Sequence, residues 1–130
     1  MSGRVLLVED DENLRETLLA VLGDSFSVEG VPDVASALLA LSSRHYDLVV
    51  TDYEMPDGTG VQVLRTIKKS YPHIATILMT GRTDSREVRA INQSGEVMVL
   101  LKPVQPADLL AWVQNGLAMA RLKRRRDGSG

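Results

Sequence analysis

The sequence predicts a three-layer α/β/α sandwich built around a five-stranded parallel sheet. Three observations carry this prediction. Short apolar runs of strand length alternate with segments whose apolar residues recur at helical spacing. The runs are apolar nearly throughout, as in strands buried on both faces, instead of alternating with polar residues. Four of the runs lead into a polar residue or pair: Asp10, Asp52, Thr80 and Lys102. Strands joined by right-handed helical crossovers are parallel, so these four residues gather at one edge of the sheet.

The elements follow in order. Val5-Leu6-Leu7-Val8 is the first strand and leads to Glu9-Asp10-Asp11. Residues 12–22 form a helix, with Leu14, Leu18, Val21 and Leu22 on one face. Phe26–Val31 is the weakest strand and suits an edge. A helix over 34–43 turns Val34, Leu38 and Leu41 inward, and Asp33 after Pro32 suits its N-cap. Leu48-Val49-Val50-Thr51 leads to Asp52, then a turn at Met55-Pro56-Asp57-Gly58. A helix over 60–70 buries Val63, Leu64 and Ile67. Ile74–Met79 is a strand leading to Thr80-Gly81, followed by a weaker helix over 84–93 around Val88 and Ile91. Val97–Leu101 is the last strand. Residues 106–122 close the fold as a helix opening on Pro106, with Leu109, Val113, Leu117 and Ala120 on one face.

The chain has 130 residues, the length of one domain. It has no cysteine, which excludes disulfides and thiolate metal sites. Its first apolar stretch is too short for a leader peptide or a membrane span. A cytoplasmic location is the expectation. Net charge is -2, unevenly spread. Arg121, Lys123, Arg124, Arg125 and Arg126 crowd the end, and residues 1–120 hold 10 basic and 16 acidic residues. That acidic body argues against nucleic acid as its partner. Residues 121–130 read as a basic tail or linker, or an artificial end, and a solvated helix end explains them most simply.

Each strand-end residue has a plain reading beside a functional one. Asp11 and Glu12 suit a helix start, where acids cap free amides. Glu9 and Asp10 sit nearer the strand end and are better placed for a cation. Asp52 ends the most buried strand, where an ionised carboxylate is costly without a counter-charge. A hard divalent ion such as Mg²⁺ prefers such oxygen ligands. Lys102 adds a second positive charge, although a lysine after a strand is often a surface residue. Thr80-Gly81 also reads as a turn.

Taken together, Leu6-Leu7-Val8-Glu9-Asp10-Asp11, Asp52-Tyr53-Glu54-Met55-Pro56-Asp57-Gly58-Thr59-Gly60, Thr80-Gly81 and Leu101-Lys102-Pro103 resemble the receiver domain of two-component response regulators. The resemblance spans about residues 4–120, which sets a receiver at 1–120 and a tail at 121–130. It implies a flavodoxin-like strand order 2-1-3-4-5. It also implies Asp52 as phosphoacceptor from a sensor histidine kinase or phosphotransfer protein. Mg²⁺, or Mn²⁺ in its place, would be held by Asp10, Asp52 and the backbone carbonyl of Glu54, with Glu9 acting through water. Thr80 would bond a phosphoryl oxygen, Lys102 would pair with the phosphate, and Lys102-Pro103 would be a cis peptide. The implied role is signalling, with no enzymatic activity beyond its own phosphoryl transfer and loss. The output domain or protein is left open, as is pairing with a second copy; no membrane partner is implied. The chemistry agrees: phosphoryl transfer needs an in-line nucleophile and charge neutralisation. Gly81 would let the backbone approach the phosphoryl group closely.

Two departures stand out. Many receivers carry Tyr or Phe three residues before the strand lysine; here that residue is Val99, too small to act as a rotor. Gly95-Glu96 replaces a Gly-Ala pair. Signalling is therefore expected to run through the loop after Thr80, residues 81–88. Glu54 and Arg82 read more simply as two solvated side chains, since exposed pairs are weak, with an ion pair across the pocket mouth as the alternative. Two other readings remain: a receiver-like interaction module never phosphorylated, and an Asp-nucleophile phosphohydrolase, which Asp57-Gly58-Thr59 faintly suggests. Met55 stands where that phosphohydrolase needs an Asp.

Overall fold

The protein, seen in a computed structural model, is described over residues 3–82 and 84–128; the side chains at 123, 124 and 126–128 lie outside that description. Met1-Ser2, the Ser129-Gly130 end of the expected linker and Thr83 in the 81–88 loop are likewise outside it. The elements are β1 (Arg4–Val8), α1 (Glu12–Gly23), β2 (Ser27–Val31), α2 (Val34–Ser43), β3 (Leu48–Asp52), β4 (Glu54–Met55), β5 (Gly58–Thr59), α3 (Gly60–Ser70), β6 (Ala75–Thr80), α4 (Arg86–Ser94), β7 (Met98–Leu101) and α5 (Pro106–Gly128).

Five strands make one parallel sheet in the order β2-β1-β3-β6-β7. Setting aside the two-residue antiparallel ribbon β4–β5, this is the expected order 2-1-3-4-5. The ribbon was not foreseen, because two residues a side are too few to show a period. Side-chain alternation sorts β1 between two cores. Val5 and Leu7 pack with Leu18, Leu22, Leu109, Val113 and Leu117 from α1 and α5. Leu6 and Val8 pack with Val34, Ala37, Leu41, Val63 and Ile67 from α2 and α3. Every residue of β3 is buried, as its unbroken apolar run requires.

The caps set where helices begin. Asp11 accepts from the N–H of Leu14 at 3.0 Å, and Asp33 from that of Ser36 at 2.7 Å. The helix expected over 84–93 instead begins at Arg86, because Ser85 takes the N-cap and accepts from Val88 N–H. The last helix was expected to end at 122 and continues to Gly128. Its Arg, Lys and Leu residues are good helix formers, and no breaker intervenes. No helix end therefore separates 1–120 from the tail.

Tyr46, between α2 and β3, is buried with its hydroxyl donating to Glu29 Oε1 at 2.5 Å. Arg44 pairs with the other Glu29 oxygen at 2.8 Å. Burial, reinforced by the bond to Glu29, pushes the Tyr46 hydroxyl up to about 12. An unfolded tyrosine ionises near about pH 10. Between those values the folded chain keeps a proton that the unfolded chain has lost. This contribution is therefore whole below about pH 10 and disappears as pH rises towards 12. Tyr46→Phe should flatten the fall of the urea midpoint over that alkaline range. An unchanged slope in the variant would refute the assignment.

Candidate functional site

The carboxyl edge of the sheet gathers the residues expected there. Glu9 follows β1 and is 1% exposed. Its N–H bonds Val31 O at 3.0 Å, which fixes it against β2. Glu9 Oε2 accepts from the N–H of Asp11 at 3.1 Å, and Oε1 accepts from Lys102 Nζ at 3.2 Å. Asp52, the last residue of β3, is 7% exposed, and its Oδ2 accepts from the same ammonium at 2.7 Å. Lys102 lies just past β7, its N–H bonded to Thr80 O at 2.8 Å, and the Lys102-Pro103 peptide is cis. Thr80 ends β6 almost fully buried; its hydroxyl accepts from Arg82 N–H at 3.0 Å and faces Arg82 O at 3.2 Å. Asp10 is exposed.

Burial pushes the Glu9 carboxyl above its usual range, and the nearby Asp52 charge adds to this; the Asp11 N–H and Lys102 only partly offset them. For Lys102, burial works against the ammonium, yet the bond to Asp52 and the charges of Asp52 and Glu9 outweigh it and push its pKa up. One cation thus serves two buried carboxylates, with the Asp10 carboxylate close by in sequence.

Among the described residues, no three acidic or histidine side chains gather at metal-ligand spacing. The expected set takes only two direct side-chain ligands, Asp10 and Asp52; the third is the Glu54 carbonyl. The chemistry still fits a hard divalent cation. All the donors are oxygens, and two buried carboxylates, Glu9 and Asp52, share one ammonium, leaving an excess of negative charge for such an ion to neutralise.

Several residues that matter here were not singled out from the sequence. Gly60 opens α3 under Asp52: a Cβ there would lie 2.2 Å from the backbone oxygen of Asp52. The Thr59-x-x-Gln62 spacing, in which Gln62 Oε1 accepts from Thr59 N–H at 3.0 Å, was an available signal for that helix start. Arg15 donates to the Glu9 and Asp10 carbonyls at 2.8 and 3.4 Å. Tyr53 donates to Glu87 Oε1 of α4 at 2.9 Å, and Arg65 of α3 lies 3.5 Å from the other Glu87 oxygen. Asp57 accepts from the N–H groups of Val34 and Ala35, which hold its carboxyl below the usual range. Glu54 and Arg82, read more simply as two solvated side chains, instead form the alternative ion pair, at 3.1 Å between two largely exposed side chains. Val99 is partly buried on β7 opposite Leu78, and the aromatic residue next to Asp52 in the chain is Tyr53.

A sequence profile for the response regulator receiver domain matches residues 5–114. The chain belongs to that family. Among relatives of this receiver, the DNA-binding response regulator MtrA of Mycobacterium tuberculosis (strain H37Rv) is 33% identical over 128 residues, covering 98% of this chain and 54% of MtrA. The receiver thus spans about half the length of that relative. A structure described as adenylate cyclase from Rhodopirellula baltica superposes with a TM-score of 0.91 at 25% identity, covering 98% of the receiver and 96% of that chain. The signal receiver domain of an HD domain-containing protein from Pseudomonas fluorescens gives a TM-score of 0.84 at 28% identity, covering 93% and 98%. Among the receiver's described residues, no helix is long and apolar enough to cross a membrane.

Proposed function

We propose that Asp52 accepts a phosphoryl group from a phosphohistidine on a sensor histidine kinase or phosphotransfer protein, and that this modification switches the surface presented to an output domain or protein. The observation that carries the reading is Lys102 Nζ lying 2.7 Å from Asp52 Oδ2, with the Thr80 hydroxyl closing the neighbouring strand end. Lys102 engages Oδ2, and Oδ1 has no partner among the described residues. Oδ1 attacks phosphorus in line; the new O–P bond forms as the N–P bond breaks, and its electron pair stays on the imidazole nitrogen. Asp10, Asp52 and the Glu54 carbonyl would hold Mg²⁺ or Mn²⁺, with Glu9 behind them through water; the ion would neutralise charge on the phosphoryl oxygens. Lys102 neutralises the remainder.

Thr80 then has a new acceptor and leaves Arg82. The 81–88 loop follows, and the Tyr53–Glu87 bond extends the change to α4 without an aromatic residue at position 99. In this reading residues 1–120 are the switching unit, 121–130 are its basic tail, and the protein works in the cytoplasm as a signalling domain with no separate substrate.

Beryllofluoride with Mg²⁺ mimics the acyl phosphate. Amide NMR signals of residues 80–88, and Trp112 fluorescence, should change in the parent chain and stay unchanged in Asp52→Asn. An equal response in Asp52→Asn would sink the proposal.

A further inference from the structure

Arg15 of α1 has no carboxylate partner among the described residues, although Glu9, Asp10, Asp11 and Glu12 precede it in the chain. Its Nη1 donates instead to two backbone carbonyls, Glu9 O at 2.8 Å and Asp10 O at 3.4 Å. The stem that carries the guanidinium there crosses the edge strand β2 at Gly30. A Cβ on Gly30 would lie 3.1 Å from Arg15 Cδ, 3.2 Å from Arg15 Cγ and 2.8 Å from Leu19 Cδ1. Glycine weakens a strand interior, and the φ of Gly30 is not positive, so its backbone does not require one. Room for the Arg15 stem and Leu19 is the reason for a bare position.

We propose, resting on the reading of Asp10 as a cation ligand given above, that Arg15 is the positioning residue that aims Asp10. The two carbonyls it holds bracket the Asp10 Cα, so the backbone is fixed on both sides of the ligand. The flanking groups are already committed. Glu9 N–H bonds Val31 O at 3.0 Å, and Asp11 N–H bonds Glu9 Oε2 at 3.1 Å. Asp11 Oδ1 takes Leu14 N–H at 3.0 Å, and Asp11 O takes the N–H of Arg15 itself at 2.8 Å. The Asp10 carboxylate has no partner among the described residues and is left for the ion. Ordering the loop in advance removes a cost that binding would otherwise meet.

Charge alone forecasts the opposite effect. A guanidinium beside a cation site repels the ion, so its removal should tighten binding. Positioning forecasts weaker binding on removal, because a loosened Glu9-Asp10 segment no longer presents its carboxylate. The sign of the change therefore separates the two accounts. Gly30 belongs to the same device from a distance: it touches neither Asp10 nor the ion, yet it gives the Arg15 stem its course.

Mn²⁺ binding, counted by the paramagnetic resonance of the free ion, reads the site without any phosphoryl chemistry. Arg15→Met keeps an apolar stem and should weaken Mn²⁺ binding about tenfold, the usual effect of losing a group that orients a ligand. In an Asp10→Asn background the same change should have no further effect, because the carboxylate it aims is gone. Gly30→Ala should displace the stem and reproduce part of the loss, and should add nothing to Arg15→Met. An Arg15→Met variant that binds Mn²⁺ as tightly as the parent, or more tightly, overturns the proposal. So does an equal loss in the Asp10→Asn background, which would mean a general loosening of the fold, and so does a Gly30→Ala variant with the parent's affinity. A parent chain that binds no Mn²⁺, or an Asp10→Asn variant that binds it as well as the parent, overturns the cation reading of Asp10 and the role of Arg15 with it.

Discussion

Gly60→Ala should be among the most damaging single substitutions in this chain. The added Cβ would sit 2.2 Å from the backbone oxygen of Asp52 and 3.0 Å from Thr51 Oγ1. Neither side can yield easily. Gly60 N–H is bonded to Tyr53 O at 2.8 Å, and Tyr53 N–H to Met79 O at 2.8 Å. The strain therefore falls on the segment that carries Asp52. A clash with backbone in a packed interior costs about 3 kcal/mol. For a chain of this length that lowers Tm by on the order of 10 °C. Phosphoryl uptake should fall about a hundredfold, since misplacing a reacting group by an ångström has that effect. Gly81→Ala is the contrast, because a Cβ there meets nothing within 4 Å. Its Tm should stay within about 2 °C of the parent, as for substitutions that touch nothing. If Gly81 serves close approach to the phosphoryl group, uptake alone should fall. Scanning calorimetry and a phosphorylation time course check both, and equal Tm values for the two variants would contradict the packing argument.

Lys102→Met should destabilise the resting protein and abolish its response to phosphodonors. The ammonium lies 3.2 Å from Glu9 and 2.7 Å from Asp52, both carboxylates nearly sealed from water. Without it, two buried carboxylates face each other. Removing one member of a buried ionic cluster costs about 3–5 kcal/mol, here towards the lower figure because Lys102 is partly exposed. Two further measurements separate this cause from lost packing. Saturating Mg²⁺ should raise the Tm of Lys102→Met more than that of the parent, since a divalent ion restores the missing charge. Adding Glu9→Gln to Lys102→Met should recover most of the lost stability, since it removes one of the two stranded charges. A double variant no more stable than Lys102→Met would rule out the charge explanation.

The legible parts of this fold were those where burial on both faces wrote an unbroken apolar word. β1, β3 and β6 are such strands, and each led directly to its site residue. β2 was the least distinct because it lies at the edge and contains Glu29 and Gly30. Gly30 has a reason that no period reveals: a Cβ there would press on Leu19 and Arg15 of α1, at 2.8 and 3.1 Å. The residues missed at the site share one property. Arg15, Tyr53, Glu87 and Gly60 act through contacts between elements, so their roles depend on how the helices lie over the sheet. Asp52, Thr80, Lys102 and Glu9 needed only the direction of their strands. The Glu54–Arg82 pair was accessible for the same reason, being two steps past two neighbouring strand ends. The continuation of α5 past residue 122 was missed because a basic run reads equally as a linker and as helix.

The stretch from Asp52 to Gly60 is the most distinctive writing in the chain, yet few of its letters do chemistry. Met55 is buried in the core beside α2 and α3. Asp57 fastens the start of α2, Gly58 and Thr59 pair with Glu54 and Met55 in the ribbon that leads into α3, and Gly60 fits beneath Asp52. What makes the signature recognisable is mostly carpentry around one buried carboxylate. Kinship and competence can therefore part company in descendants of such a chain. If Asp52 is the phosphoacceptor proposed above, losing it would leave a chain that still resembles its relatives and cannot carry a message, whereas losing Gly60 would blur the likeness and the message together.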